Sequence, residues 1–126
     1  MQLRYALALA ALSSAAVGAA VHTLHAQTKP PVYMIAINEV SNQEGYSKEY
    51  LPPAQASIKA HGGVYVAAGP GTAIAGNLPQ GRTIVLRWES MEALKAWRDS
   101  PEYVAALKIG EKYAKYNIVA VDGVKQ

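Results

Sequence analysis

The chain has 126 residues, with 12 Lys/Arg against 9 Asp/Glu for a formal charge of +3, eight tyrosines, no phenylalanine and no cysteine. The missing thiols exclude disulfides, cysteine metal sites and thiol nucleophiles. Lys48, Lys59, Arg82, Arg87, Lys95, Arg98, Lys108, Lys112 and Lys115 are spread out, with no basic block to track phosphates, so no nucleic acid partner is expected.

The opening MQLRYALALAALSSAAVGAAVHTLHAQ has one early charge, Arg4, then an uncharged Ala/Leu-rich run from Tyr5 to Val21 and small residues up to Ala26. That layout is a secretory signal peptide over residues 1–26, with a periplasmic or secreted destination. The run is short for a membrane span and is diluted by Ser13 and Ser14, so a membrane partner follows only if the leader is uncleaved. Gln27 to Pro31 is a short tether, and residues 32–126 are the length of a single domain.

Val32 to Asn38 (VYMIAIN) is apolar on both alternate faces, the mark of a strand that must be covered on both sides. Ser41-Asn42-Gln43-Glu44 has the spacing of a capping box. Tyr46, Tyr50, Ala54 and Ile58 then repeat every four residues on one helical face. Pro52-Pro53 falls inside that pattern. It predicts two short helices, roughly 42–50 and 53–60, because proline is tolerated only in a first turn. His61-Gly62-Gly63 ends the second helix.

Val64 to Gly69 is the second strand, and Pro70 to Gly81 is a Gly/Pro-rich loop or loose hairpin arm. Arg82 to Glu89 is the third strand, with Ile84, Leu86 and Trp88 on one face and Thr83, Val85 and Arg87 on the other. Ser90 caps a helix carrying Met91, Leu94 and Trp97. Ser100-Pro101-Glu102-Tyr103 breaks the helical stretch that follows. Serine suits the N-cap, proline the first helical position, and glutamate the positive end of the helix dipole. The break therefore reads as a joint between two helices. Asn117 to Gly123 is the last strand.

The order β-α-β-β-α-β specifies an α+β, ferredoxin-like fold with an antiparallel sheet and helices on one side. The uncovered apolar face predicts a homodimer with two sheets face to face, a dimeric α/β barrel.

RTIVLRWESMEALKAWRDSPEYVAALKI, with HGGVYVAAG and the ending YNIVAVDG, resembles the bacterial domain of unknown function 1330 family, from Val32 to Gly123. The leader's LHAQTKPPVY is also similar to exported members. The resemblance implies the dimeric α/β barrel superfamily, which includes cofactor-free quinone-forming monooxygenases and small lactone isomerases; it implies no established activity. Two positions depart from the family pattern. Ala75 precedes Gly76 where members often carry an acid, and Arg87-Trp88 ends the third strand where Glu-Phe is common.

His61 is the single histidine beyond the leader region, so a histidine-rich metal site is ruled out and no metal is expected. It is either a general base or a helix-terminal histidine facing the dipole. Arg87 either binds a carboxylate or enolate in a dimer cleft or pairs with Glu39 or Glu89 at an interface. Tyr33, Tyr65 and Tyr103 are the tyrosines picked out, with Arg87, as ligand contacts; the alternative is packing at the sheet–helix seam. No phosphate loop or dinucleotide fingerprint is present, and no cofactor is expected. Three functions fit: an exported homodimeric domain binding a small apolar or carboxylate-bearing molecule in a cleft, a cofactor-independent monooxygenase- or isomerase-like enzyme, or a structural dimer module without ligand.

Overall fold

The computed structural model describes residues 29–126. The expected leader lies outside the described residues. Pro31–Gly123 form one compact unit. Its strands are β1 (Val32–Val40), β2 (Val64–Pro70), β3 (Arg82–Trp88) and β4 (Ala114–Asp122). They make one four-stranded sheet in the order β2-β3-β1-β4, with every neighbouring pair antiparallel. With the helices between β1 and β2 and between β3 and β4, this is the expected ferredoxin-like β-α-β-β-α-β topology. Among the described residues no helix is long and apolar enough to cross a membrane.

The first helical stretch is one continuous path and not two helices. A short helix α1 (Gln43–Gly45) runs into a π-helical turn (Tyr46–Tyr50) and then into α2 (Leu51–Ala60). Proline at 52 and 53 has no N–H to give, so the carbonyls one turn earlier lose their α-helical partners. The chain widens there instead of breaking, and Leu51 N–H donates to the Tyr46 carbonyl five residues back. Both prolines fall in the first turn of α2, where they are tolerated. The expected four-residue face is intact, since Tyr46, Tyr50, Ala54 and Ile58 are all buried.

The cap differs from the expected box. β1 continues to Val40, and Ser41 is tied to the start of β4, its N–H and its hydroxyl both donating to the Tyr113 carbonyl at 2.7 and 3.0 Å. Asn42 takes over as N-cap, accepting from Gly45 N–H at 3.0 Å, and Glu44 pairs outward with Lys48. β4 likewise starts at Ala114, three residues ahead of the expected Asn117, because Glu39 and Val40 extend its partner.

Ser90 caps α3 (Met91–Arg98) by accepting from Ala93 N–H, and Ser100 caps α4 (Pro101–Gly110) by accepting from Tyr103 N–H at 3.2 Å. The Ser100 hydroxyl also donates to the Trp97 carbonyl at 2.7 Å, closing the previous helix and opening the next. The break at Ser100-Pro101 is thus a joint. On either side of it Trp97 and Tyr103 stack with centroids 4.1 Å apart, and Trp88 lies 5.0 Å beyond Trp97. The Trp97 indole N–H donates to Ser57 Oγ at 3.0 Å, fastening α3 to α2.

The helices cover the face carrying Val32, Met34, Ala36 and Asn38 of β1 and Ile84, Leu86 and Trp88 of β3. Among the described residues nothing covers the other face. Register places Arg87–Tyr33–Val121, Val85–Ile35–Val119 and Thr83–Ile37–Asn117 in successive rows across it.

Gly63 fits closely under this core. A Cβ there would lie 2.7 Å from Ile58 Cγ2 and from the Trp88 ring. Gly63→Ala is expected to cost about 1–3 kcal/mol by overpacking. Urea unfolding measures this, and an unchanged midpoint would mean that the indole moves aside freely.

Candidate functional site

A cavity lies between sheet and helices, where several tyrosine hydroxyls and Asn38 gather. Its floor crosses the sheet from Tyr65 on β2, through Ile84, Leu86, Met34, Ala36 and Asn38, to Tyr116 and Ile118 on β4. Its roof is Tyr46, Tyr50, Leu51, Ala54, Ile58, Trp97 and Tyr103. The void has about 30 Å³ for water-sized occupants, which is room for about two waters at about 10–15 Å³ each. A larger guest requires a lining side chain to give way. Tyr65 is the least restrained of them, being 40 % exposed on an edge strand whose register shifts beside it.

The π-turn aims Tyr46 and Tyr50 into the cavity, with ring centroids 5.1 Å apart. Asn38, 3 % exposed, donates through Nδ2 to the Tyr46 hydroxyl at 3.0 Å, while its Oδ1 has no partner. The Tyr50 and Tyr103 hydroxyl oxygens are 2.9 Å apart, and Arg98 Nη1 donates to the Tyr103 oxygen at 3.2 Å. The guanidinium carbon of Arg98 is also 5.3 Å from the centre of the Tyr103 ring. Tyr116, whose ring centroid is 5.5 Å from that of Tyr50, has a buried hydroxyl without a hydrogen-bond partner. Gly110 makes this approach possible, because a Cβ there would collide with the Tyr116 hydroxyl and the Tyr50 ring.

Arginine only donates. It occupies one lone pair of Tyr103, one phenolic proton bridges Tyr103 and Tyr50, and the second proton of that pair is left for the cavity. Either hydroxyl can be the donor of that bond; with Tyr103 donating, as a charged donor on its own oxygen favours, the leftover proton is that of Tyr50.

The sequence-derived candidates divide between the two sides of the sheet. Tyr65 and Tyr103 line the cavity. Arg87 and Tyr33 are register partners on the open face, separated from the cavity by the thickness of the sheet. Glu39, offered as an interface partner for Arg87, lies at the far end of the open face within the same chain, where it accepts from Asn117 Nδ2 at 2.8 Å and sits opposite Lys115. His61 is the C-cap of α2, and its Nε2 is 3.4 Å from Glu102 Oε2 at the start of α4. The Glu102 carboxyl is held below its usual range by its own backbone N–H first, then by His61 and Ser100. Neither residue of this pair lines the cavity.

Asn38 and Arg98 are cavity or relay residues that reading the sequence did not single out, and Tyr46, Tyr50 and Tyr116 stood outside the tyrosines picked as ligand contacts, although Tyr46 and Tyr50 were placed on the expected helical face. Asn38 left a signal, being a polar residue on the buried alternation of Val32, Met34 and Ala36. Arg98 left none, because its role depends on the bend at Ser100-Pro101.

Burial pushes the hydroxyls of Tyr46, Tyr50, Tyr103 and Tyr116 upward, most of all Tyr50, whose neighbouring phenols add to the effect. A phenol whose folded pKa is raised contributes stability that is fully present below its unfolded pKa of about 10 and is lost progressively above it, where only the unfolded chain releases the proton. The tyrosine contribution to native stability is therefore expected to be flat below pH about 10 and to fall above it by up to about 1.4 kcal/mol per pH unit for each such tyrosine. Denaturation at stepped alkaline pH, with phenolate absorption followed in parallel, checks this; ionisation of all the tyrosines ahead of unfolding would contradict it.

Fold comparison places this architecture among solved structures. A protein of unknown function from Rhodopseudomonas palustris superposes with a TM-score of 0.63 at 15% identity, over 78% of this chain and 85% of that one. A cofactor-independent oxygenase from Streptomyces nogalater, SnoaB, gives a TM-score of 0.55 at 9% identity, over 77% and 96%. A protein from Caulobacter crescentus CB15 described as a candidate antibiotic biosynthesis monooxygenase gives 0.55 at 19% identity, over 82% and 99%. At these identities the likeness is one of fold. No curated protein matches the chain. The family model for the domain of unknown function DUF1330 matches residues 31–124, nearly all of the described unit, and the chain belongs to that family.

Proposed function

We propose that this domain binds a small oxygen-bearing molecule in the tyrosine-lined cavity, and that it does so as an exported homodimer. One observation carries the binding reading: Asn38 Oδ1 and the Tyr116 hydroxyl are buried on the cavity without partners. An unsatisfied buried polar group costs about 1–3 kcal/mol. A chain that keeps two of them on one void gains from a guest that answers both, whether water or ligand. A monomer-sized apolar core would have been filled more stably by Phe and Leu, and this chain uses no phenylalanine at all.

The dimer is supported by the open sheet face. Val119 and Val121 are 60% and 53% exposed there, beside Ile35 and Val85, with Arg87 at one end and Glu39 at the other. A second copy related by a two-fold axis covers the apolar rows and can set each Arg87 toward the other copy's Glu39. Export is supported by the leader over residues 1–26.

Tyr116→Phe deletes an unsatisfied hydroxyl. It is expected to leave unfolding stability unchanged or to raise it by about 1 kcal/mol, while reducing ligand retained through gentle purification from the periplasm. Urea titration and native mass spectrometry of the mature protein read the two effects. A loss of stability equal to that of a bonded hydroxyl would show that Tyr116 serves the fold. In the same spectra the wild type should be a dimer lacking residues 1–26, and Val119→Glu a folded monomer. A wild-type monomer at micromolar concentration would sink the sheet-to-sheet reading.

A cofactor-independent enzyme of the monooxygenase or isomerase type is the second reading. It is favoured by the leftover phenolic proton beside the cavity, and the oxygenase folds above share the architecture. Oxygen uptake with small phenols that disappears in Tyr50→Phe, with folding intact, would select it over binding alone.

A further inference from the structure

Beyond the two sides of the sheet there is an outer groove, lined by Arg98, Leu107, Glu111, Ala114, Lys115 and Tyr116. Tyr116 belongs to both the groove and the cavity. Arg98 belongs to the groove yet reaches inward to the Tyr103 hydroxyl. The charged side chains of the groove are Arg98 and Lys115 against Glu111, one excess positive charge. Among the described residues Arg98 has no carboxylate within ion-pair distance. Its charge is directed at the cavity through Tyr103, against the opposing carboxylate of Glu111 in the same groove.

Inside, two phenolic protons are unspent. One is left over from the Tyr50–Tyr103 pair, because Arg98 has already filled a lone pair of Tyr103. The other belongs to Tyr116, which has no partner. The rings of Tyr50 and Tyr116 are 5.5 Å apart, and Gly110 is the backbone notch that lets the Tyr116 hydroxyl sit against Tyr50. Two neutral donors converging on one void, with a cation one hydroxyl behind, is an arrangement for holding negative charge on oxygen.

We propose that Tyr50 and Tyr116 together bind one oxygen that carries or develops negative charge, as in a carboxylate, phenolate or enolate, and that Arg98 supplies the compensating charge through Tyr103. The proposal rests on the cavity being the ligand site. It moves the anion-binding role from Arg87, on the open face, to Arg98. Tyr50 and Tyr116 are the binding residues, and Tyr103 and Arg98 position and polarise them.

Formate and formamide test it. Both have three heavy atoms, matching a void that holds about two waters, and only formate is anionic. The mature chain is titrated with each carbon-13-labelled probe by NMR, alongside Tyr50→Phe, Tyr116→Phe and Arg98→Gln, with thermal melting to confirm that every variant is folded. The expected result is saturable formate binding that weakens about tenfold or more in each tyrosine variant, as loss of a charge-assisted hydrogen bond requires. Arg98→Gln should weaken formate while leaving formamide within about twofold, because its effect is one of charge. A merely structural role for Arg98 would weaken both probes alike and would overturn the assignment. Formamide binding without formate would overturn the anion site while leaving the cavity reading intact. Binding of neither probe would remove both, and formate binding equal in all variants would place the anion elsewhere.

Discussion

A four-stranded sheet has two faces, and the described residues supply helices for only one of them. Everything else in the molecule follows from that shortage. β1 lies at the centre of the sheet with alternate residues apolar on both sides, so its Val32, Met34 and Ala36 row is sealed by helices while its Tyr33, Ile35 and Ile37 row is not. The two faces then take different chemistry. The covered face can enclose a void and hold polar groups away from bulk water. The open face keeps its charges, Arg87 and Glu39, at the ends of an apolar patch.

The joint at Ser100-Pro101 links fold to site. Its serine closes α3 through the Trp97 carbonyl and opens α4 through Tyr103 N–H. A straight helix would place Arg98 and Tyr103 five residues apart, on diverging faces. The bend instead lays the guanidinium over the Tyr103 ring and within hydrogen-bond distance of its hydroxyl. Ser100, Pro101 and Glu102 of the joint are explained by capping, and none of the three lines the cavity. Its consequence for the site is positional.

The π-turn acts in the same way at the other end of the roof. Pro52 and Pro53 deny two α-helical hydrogen bonds, and the wider turn that absorbs this loss carries Tyr46 and Tyr50 side by side over the void. Phenylalanine would fill such positions with less risk, because buried hydroxyls must be paired. Here Tyr46 is paired with Asn38 and Tyr50 with Tyr103, while Tyr116 is left over. A core so dependent on hydroxyl pairing is rigid where the pairs close and receptive where they do not.

Much of the fold was legible along the chain, because it rests on local rules. Strand alternation, serine caps, the Gly62-Gly63 stop and the order of elements all act over a few residues, and they suffice for a ferredoxin-like topology. The sequence also showed that Val32 to Asn38 needed cover on both sides. Local readings failed where tertiary contacts intervened. Ser41 was claimed by Tyr113, some seventy residues away in sequence, so Asn42 became the cap; and the Pro52-Pro53 break became a π-turn, because packing of Tyr46 and Tyr50 on the sheet held the helix together. The site was far less legible, for a geometric reason. Which side of the sheet a strand residue faces depends on parity and register. Arg87 and Tyr65 look like neighbours in a list of candidates yet point to opposite faces, and Arg98, Tyr103, Tyr50 and Tyr116 come from four separate elements. By itself the sequence determined which elements form and in what order. Only the tertiary structure decided which hydroxyls share a void and which arginine reaches them, because those contacts exist only once the helices have folded back across the sheet.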